Sequence, residues 1–261
     1  MNSPIAWAGG KARLSSKILP HIPAHVCWVE PFAGGLGMFF NKPRSKYEVV
    51  NDMHRDLINL FRVAKFHPDA LMEEMALVLY SREEFEHLKR SELASKTDVQ
   101  RAAWFFHSLD QSFGAKGLSA GFGYARKKSP ASRANYLKRV KTLYARLDQV
   151  TVECLDYADC LKRYDAPGTF FFIDPPYIGG SVKQYDAWKL SDLESLRENL
   201  SALAGQWLLT MSAGKEVERI FAGFKMIAVS RQNIIDNRKG SGKKYQELLI
   251  MPESQVGGFF V

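Results

Sequence analysis

Thr169-Phe170-Phe171-Phe172-Ile173-Asp174-Pro175-Pro176-Tyr177 is the stretch from which the fold of this chain is read. Its first five residues are a short apolar run rich in β-branched and aromatic side chains, the pattern of a buried strand. Two consecutive prolines lack a backbone N–H and hold φ near about −65°, so the chain must leave the sheet in a stiff turn after Asp174. A carboxylate, two proline carbonyls and one aromatic face are then presented together at the carboxyl end of a strand. Open α/β sheets bind ligands at that edge. Taken alone, the tetrapeptide has a plain alternative, a Pro-Pro loop that merely ends a strand, because short motifs recur by chance. Its companions decide between the two.

Upstream, Val26-Cys27-Trp28-Val29-Glu30 reads as a first buried strand, and Pro31-Phe32-Ala33-Gly34-Gly35-Leu36-Gly37 as a tight glycine turn. Met38-Phe39-Phe40 opens an apolar helical turn, and Tyr47-Glu48-Val49-Val50-Asn51 is a second strand closed by Asp52. Strand, glycine loop, helical turn, strand and an acid about 20 residues beyond the glycines form the dinucleotide-type layout. Glycines let a backbone approach a ligand closely, and the acid can accept from ribose hydroxyls. G-G-L-G is not G-x-G-x-x-G, so a pyrophosphate grip is not expected. A nucleoside without phosphates fits better, and S-adenosylmethionine is such a ligand.

Between Arg55 and Asp148 the pattern turns helical, with apolar spacing over 56–64, 68–79, 82–91, 98–109 and 132–147. Thr97 and Ser81 are expected N-caps, Ser81 with Glu84 as a capping box. Gly114 to Pro130 reads as a loop bearing glycine and lysine. Strand patterning returns at 150–154, 169–173, 207–210, 225–229 and 247–251, with helices over 157–163 and from Asp192 behind a Ser191 cap. The expected fold is α/β, a Rossmann-like sheet. Residues 1–54 and 149–261 would make a discontinuous catalytic domain, and 55–148 an inserted helical domain.

Length and composition agree. A chain of 261 residues can build one large α/β domain with an insertion, and 46% hydrophobic with 25% charged residues is ordinary for a globular protein. A formal charge of +8 and a pI near 9.3 favour a polyanionic partner. The absence of an 18-residue apolar run, with no signal peptide at Met1-Asn2-Ser3-Pro4, argues against a membrane partner. Cys27, Cys154 and Cys160 lack ligand spacing and read as reduced thiols in or near the core. No H-x-E with P-C-x-x-C occurs, which removes zinc-dependent deaminases. Gly9-Gly10-Lys11 is followed by Ala12 and lacks the earlier glycine, so it is no Walker A loop.

With the glycine turn, Asp52, the helical stretch and Asp174-Pro175-Pro176-Tyr177 in that order, the chain resembles the DNA adenine methyltransferases of the Dam/D12 class. Trp7-Ala8-Gly9-Gly10-Lys11 matches that family's W-A-G-G-K element, and the likeness runs from Trp7 to the Lys243–Leu249 segment. It implies a methyl transfer from S-adenosylmethionine to the N6 amino group of adenine in double-stranded DNA, with no metal. Asp174, Pro175, Pro176 and Tyr177 would be catalytic. Trp7, Lys11, Glu30, Pro31, Phe32, Ala33, Gly34 and Asp52 would line the cofactor, Lys11 at its carboxylate end. Leu155, Asp156 and Tyr157 would lie near the cofactor's adenine.

In a duplex the amino group faces stacked neighbours, so the base must be swung out, and the helical insertion would hold the DNA. Its basic side chains Lys116, Arg126, Lys127, Lys128, Arg133, Lys138, Arg139 and Lys141 are candidate phosphate contacts. Arg238, Lys239, Lys243 and Lys244 form a second basic cluster, and Phe113 is the candidate wedge for the gap left by the base. The GATC-reading members carry a longer aromatic-rich hairpin than Ser112–Tyr124, so the resemblance does not extend to GATC. A cognate restriction endonuclease, a monomer or weak dimer, and a bacterial or phage-host cytoplasm complete what the likeness implies. Three alternatives stand beside it: an N-methyltransferase acting on RNA, a non-catalytic DNA-binding protein of the same fold, and a nicotinamide oxidoreductase. The intact acids speak against the second, and the missing pyrophosphate loop against the third.

Overall fold

The computed structural model describes residues 3–90, 96–123, 132–177, 188–231 and 245–255. Among these residues seven strands form one sheet in the order β3-β2-β1-β4-β5-β7-β6. They are β1 (Cys27–Glu30), β2 (Tyr47–Asn51), β3 (Val150–Glu153), β4 (Thr169–Ile173), β5 (Gln206–Ser212), β6 (Lys225–Arg231) and β7 (Tyr245–Met251). The first five run parallel, and β7 lies antiparallel to both β5 and β6.

The strand order reverses between β1 and β4. From β1 the chain steps outward to β2 and β3, then returns to the other side of β1 and continues to β5. Connections leaving the carboxyl ends of β1 and β4 therefore diverge and leave a crevice, the place where open α/β sheets take ligands. The glycine turn leaves β1 there, and Asp174 to Tyr177 leave β4 beside it.

Every residue of β4 is buried, as its unbroken apolar run demands for a strand covered on both faces. Alternate side chains go to opposite layers. Phe170 and Phe172 join one apolar cluster; Phe171 and Ile173 join the other. The second layer is supplied by α7 (Tyr157–Tyr164), α8 (Leu190–Ser201) and α9 (Lys215–Ile220), through Leu161, Leu196 and Val217 among others.

On the first face lie α2 (Arg55–Phe66), α3 (Pro68–Leu77), α5 (Asp98–Gln111) and α6 (Arg133–Arg146), with α4 (Arg82–Arg90) beyond α5. Leu57, Phe61, Phe106 and Val140 of these helices belong to the same buried cluster as Trp28, Phe170 and Leu208 of the sheet. Thr97 caps α5 in a reciprocal capping box with Gln100, and Ser132 caps α6.

Several local expectations differ from the structure. Val26 precedes β1, and 38–40 form turns rather than a regular helix, although Phe40 N–H still reaches Leu36 C=O. In α8 the Asp192 carboxylate accepts from the Lys189 N–H, so the helix begins before Ser191 can cap it. Glu84 N–H donates to Ser81 Oγ at 3.4 Å, one bond of the expected box. The N-terminal segment folds as short turns of helix, Lys11–Leu14, α1 (Ser15–Ile18) and Leu19–His21, too short for periodicity to signal. Cys160 is buried and Cys27 half-buried, but Cys154, just past the end of the edge strand β3, is exposed. Among the described residues no helix is long and apolar enough to cross a membrane.

Candidate active site

A cavity sits at the crevice, with about 990 Å³ of empty space once its open mouth is counted. Asp174, Pro175, Pro176 and Tyr177 line one side; Glu30, Phe32, Ala33, Gly34 and Asp52 line another; Trp7 to Lys11 close it.

The glycines serve the protein's own packing as much as any ligand. A methyl at Gly35 would lie 2.4 Å from Trp7 Cβ, and one at Gly34 would lie 2.8 Å from Trp7 Nε1. Gly34 also takes a φ of 44°, the left-handed region that favours glycine. The turn is thus bare so that the N-terminal segment can lie against it. Ser3 Oγ donates to Gly35 C=O, which pins that segment in place.

Asp52 is buried at the end of β2. Its Oδ2 accepts from Gly34 N–H and its Oδ1 from His54 N–H, each at 2.9 Å. Both carboxylate oxygens thus act as acceptors where the end of β2 meets the cavity. Glu30, 2% exposed, accepts from the Trp28 indole at 3.0 Å. Burial pushes its carboxyl up to about 8, against the opposing pull of that indole and of the Lys42 and Arg146 cations.

Lys11 is 3% exposed. Its ammonium donates to Asp174 Oδ1 at 2.6 Å and to Gly9 C=O at 3.0 Å, lies 3.9 Å from Glu247 Oε2, and stands 4.8 Å from the centre of the Tyr177 ring. Burial opposes its charge, but Asp174, Tyr177 and Glu247 outweigh burial and raise its pKa above the usual lysine value. Thr210 Oγ1 donates to the same Asp174 oxygen at 2.9 Å. The Tyr177 hydroxyl donates to Glu247 Oε2 at 3.3 Å, and burial raises its pKa, so the phenol stays neutral.

Some expected site residues stand elsewhere. Lys11 lines the cavity, but its ammonium is directed to Asp174 instead of standing open for a cofactor carboxylate. Pro31, Leu155, Asp156 and Tyr157 are not on the cavity wall formed by the described residues. Pro31 C=O and Leu155 are tied together through the Asn51 amide, Asp156 caps α7, and Tyr157 stacks behind Phe32 at 5.3 Å. A β-strand asparagine bridging two loops, and a short helix needing its own cap, took up those positions. Trp188, Met38 and Phe172 line the cavity without having been singled out. Glu247 and Thr210 were also missed; an acid or hydroxyl inside an apolar strand, as in Gln246-Glu247-Leu248 and Leu209-Thr210-Met211, was the available signal.

Among the basic candidates, Arg133, Lys138 and Lys141 are exposed on α6 and Lys116 is half-buried. Arg139 is corrected: its guanidinium forms a two-pronged pair with Asp110 and donates to Pro4 C=O at 2.5 Å, so it braces the N-terminal segment against α5. Phe113 is 65% exposed, on a tight turn where Ser112 bridges Phe122. Arg126, Lys127, Lys128, Arg238, Lys239, Lys243 and Lys244 lie outside the described residues.

A parallel sheet reversing at β1/β4, an antiparallel β7, and an acid-lined cavity at that reversal together define a Rossmann-like methyltransferase. The family model for D12 class N6 adenine-specific DNA methyltransferases matches residues 7–235, and the chain belongs to that family. It is accordingly an enzyme that methylates N6 of adenine in DNA, and the RNA alternative gains no support. A DNA adenine methylase of Salmonella typhi is 26% identical over 275 residues, covering 97% of this chain and 95% of that protein. One from Serratia marcescens is 30% identical over 186 residues, 66% of each chain. The type II methyltransferase M.MjaIII of Methanocaldococcus jannaschii is 26% identical over 289 residues, 95% of this chain and 97% of that one.

Proposed function

We propose that this methyltransferase uses S-adenosylmethionine and acts on an adenine swung out of double-stranded DNA, both bound in the cavity at the β1/β4 crevice. The observation that carries this reading is the state of Asp174. Its Oδ1 takes Lys11 and Thr210, while Oδ2 has no hydrogen bond among the described residues. One carboxylate oxygen is thus fixed and the other is left as an acceptor.

The cavity's donor set fits the cofactor. The Asp52 carboxylate on the cavity wall suits ribose hydroxyls, the Trp7 and Phe32 rings offer apolar walls, and Glu30 offers a buried carboxyl near the glycine turn. When bound, this cofactor supplies an electrophilic methyl group. The protein's part is alignment. Asp174 Oδ2 and the Pro175 carbonyl accept from the adenine amino group and favour a more tetrahedral nitrogen with an exposed lone pair. The same acceptors stabilise the positive charge that develops on that nitrogen. The Tyr177 ring stacks on the base, and its neutral hydroxyl is held by Glu247.

Extruding the base costs a few kcal/mol. We assign the DNA grip to residues 55–148, with Phe113 filling the gap and Lys116, Arg133 and Lys138 on phosphates. Arg126, Lys127, Lys128, Arg238, Lys239, Lys243 and Lys244 remain in that assignment on charge alone. A cytoplasmic monomer or weak dimer, paired with an endonuclease of the same site, extends the reading. The "type II" name of the M. jannaschii relative supports that pairing.

Radiolabelled S-adenosylmethionine offered with duplex DNA or RNA, followed by mapping of modified positions, tests the substrate. Label is expected in DNA adenine, and Asp174→Ala should abolish it while the fold persists. Near-normal turnover by folded Asp174→Ala would refute the assignment.

A further inference from the structure

We infer that Thr210 and Glu247, on two strands beyond β4, are positioning residues for methyl transfer: Thr210 sets the rotation of the Asp174 carboxylate, and Glu247 sets the Tyr177 ring. The inference rests on the role proposed above for Asp174.

Thr210 is fully buried within the apolar run of β5. A buried hydroxyl must be hydrogen-bonded, and two acceptors are in reach: Ile173 C=O at 3.4 Å and Asp174 Oδ1 at 2.9 Å. The shorter, charge-assisted contact takes the proton. A carboxylate turns broadly about its terminal torsion. Two donors from separate elements, Lys11 and Thr210, meet on one oxygen and stop that rotation with Oδ2 free. Valine would fill nearly the same space, so packing alone does not call for threonine here.

Glu247 begins the buried part of β7 opposite Ser212, at the carboxyl end of β5. Because β7 runs antiparallel to β5, its first residues stand at the carboxyl end of β5, beside the crevice. Its carboxylate accepts from the Tyr177 hydroxyl and lies near the Lys11 ammonium, which itself faces the Tyr177 ring. The acid thereby holds the stacking ring at its far tip.

The test is kinetic. Thr210→Val should lower kcat about tenfold or more, since small misplacements near the reacting atoms can cost about 100-fold. Affinity for S-adenosylmethionine, measured by calorimetry, should stay within about twofold of the parent, and Thr210→Ser should restore most of kcat. Glu247→Leu should likewise lower kcat, and Glu247→Gln, which keeps an acceptor, should lower it less. Duplexes with 2-aminopurine at the target should fluoresce more strongly with Glu247→Leu than with the parent, reporting an extruded base less quenched by stacking on Tyr177. Normal kcat in folded Thr210→Val and Glu247→Leu overturns the inference, as does a loss that serine and glutamine do not relieve. If Asp174→Ala is inactive while these variants are normal, only the positioning roles fall; if Asp174→Ala is active, the site assignment falls first.

Discussion

The Lys11 ammonium rests 2.6 Å from Asp174 Oδ1, joining the N-terminal glycine segment to the turn after β4. This contact makes one unit of two stretches far apart in the chain. It sets a buried cation against that carboxylate, and it fixes which oxygen is left for a ligand.

Lys11→Met should therefore act on stability as well as on turnover. Removing one partner of a buried ion pair leaves the other uncompensated, at a cost of about 3–5 kcal/mol. Urea denaturation should show such a loss, and the Lys11→Met/Asp174→Asn double variant should recover part of it. A loss below about 1 kcal/mol would mean the pair is better solvated than its burial indicates.

Glu30 ties stability to pH. Its carboxyl rises from 4.5 to about 8 on folding, chiefly through burial. Over that window the native state keeps a proton that the unfolded chain releases, so stability should fall as pH rises from about 4.5 to about 8. Glu30→Gln should flatten this decline, matching the parent near pH 4 and exceeding it near pH 9 in urea midpoint. Parallel pH curves for the two proteins would show that Glu30 titrates normally.

Gly35→Ala should displace Trp7, since the added methyl would lie 2.4 Å from Trp7 Cβ. Overpacking of this kind costs about 1–3 kcal/mol. S-adenosylmethionine affinity should fall with it, because Trp7 lines the cavity. In the Trp7→Ala background the same glycine change should cost much less stability. Additive effects would place Trp7 elsewhere.

Phe113 and Arg139 should separate cleanly. Phe113→Ala removes an exposed ring and should change stability by no more than about 0.5 kcal/mol. It should weaken the fluorescence signal of an extruded 2-aminopurine. Arg139→Ala breaks the Asp110 pair and the Pro4 contact, so thermal stability should drop before any DNA effect is seen. A stable Arg139→Ala protein with weakened DNA binding would return Arg139 to the phosphate contacts.

DNA affinity itself should fall steeply with salt, with a slope of about −0.9 per phosphate contact on a log–log plot. Lys138→Ala should reduce that slope by about 1 without changing the preferred sequence. A flat response between low and moderate salt would count against the basic face of α6.

Local sequence was enough for what depends on local rules. The both-faced burial of β4 follows from four consecutive apolar residues after Thr169, and the break after Asp174 from two prolines. The Thr97 cap likewise depends on residues a few positions apart, and the spacing of the glycine turn from Asp52 is read directly along the chain. These features placed the crevice and most of its lining.

Tertiary structure alone decided the partners of the charged groups. The strand order sets β5 beside β4 and β7 next beyond β5, which is why Thr210 and Glu247 reach Asp174 and Tyr177 at all. Arg139 reads as one more surface charge on a basic helix until Asp110 and Pro4 are seen beside it. Leu155 to Tyr157 stand off the cavity wall because Asn51 holds the Leu155 backbone, Asp156 caps α7 and Tyr157 stacks on Phe32. Short windows encode backbone preference and burial period; the hydrogen-bond demand of a buried polar group is met by whatever the packed layers bring within about 3 Å.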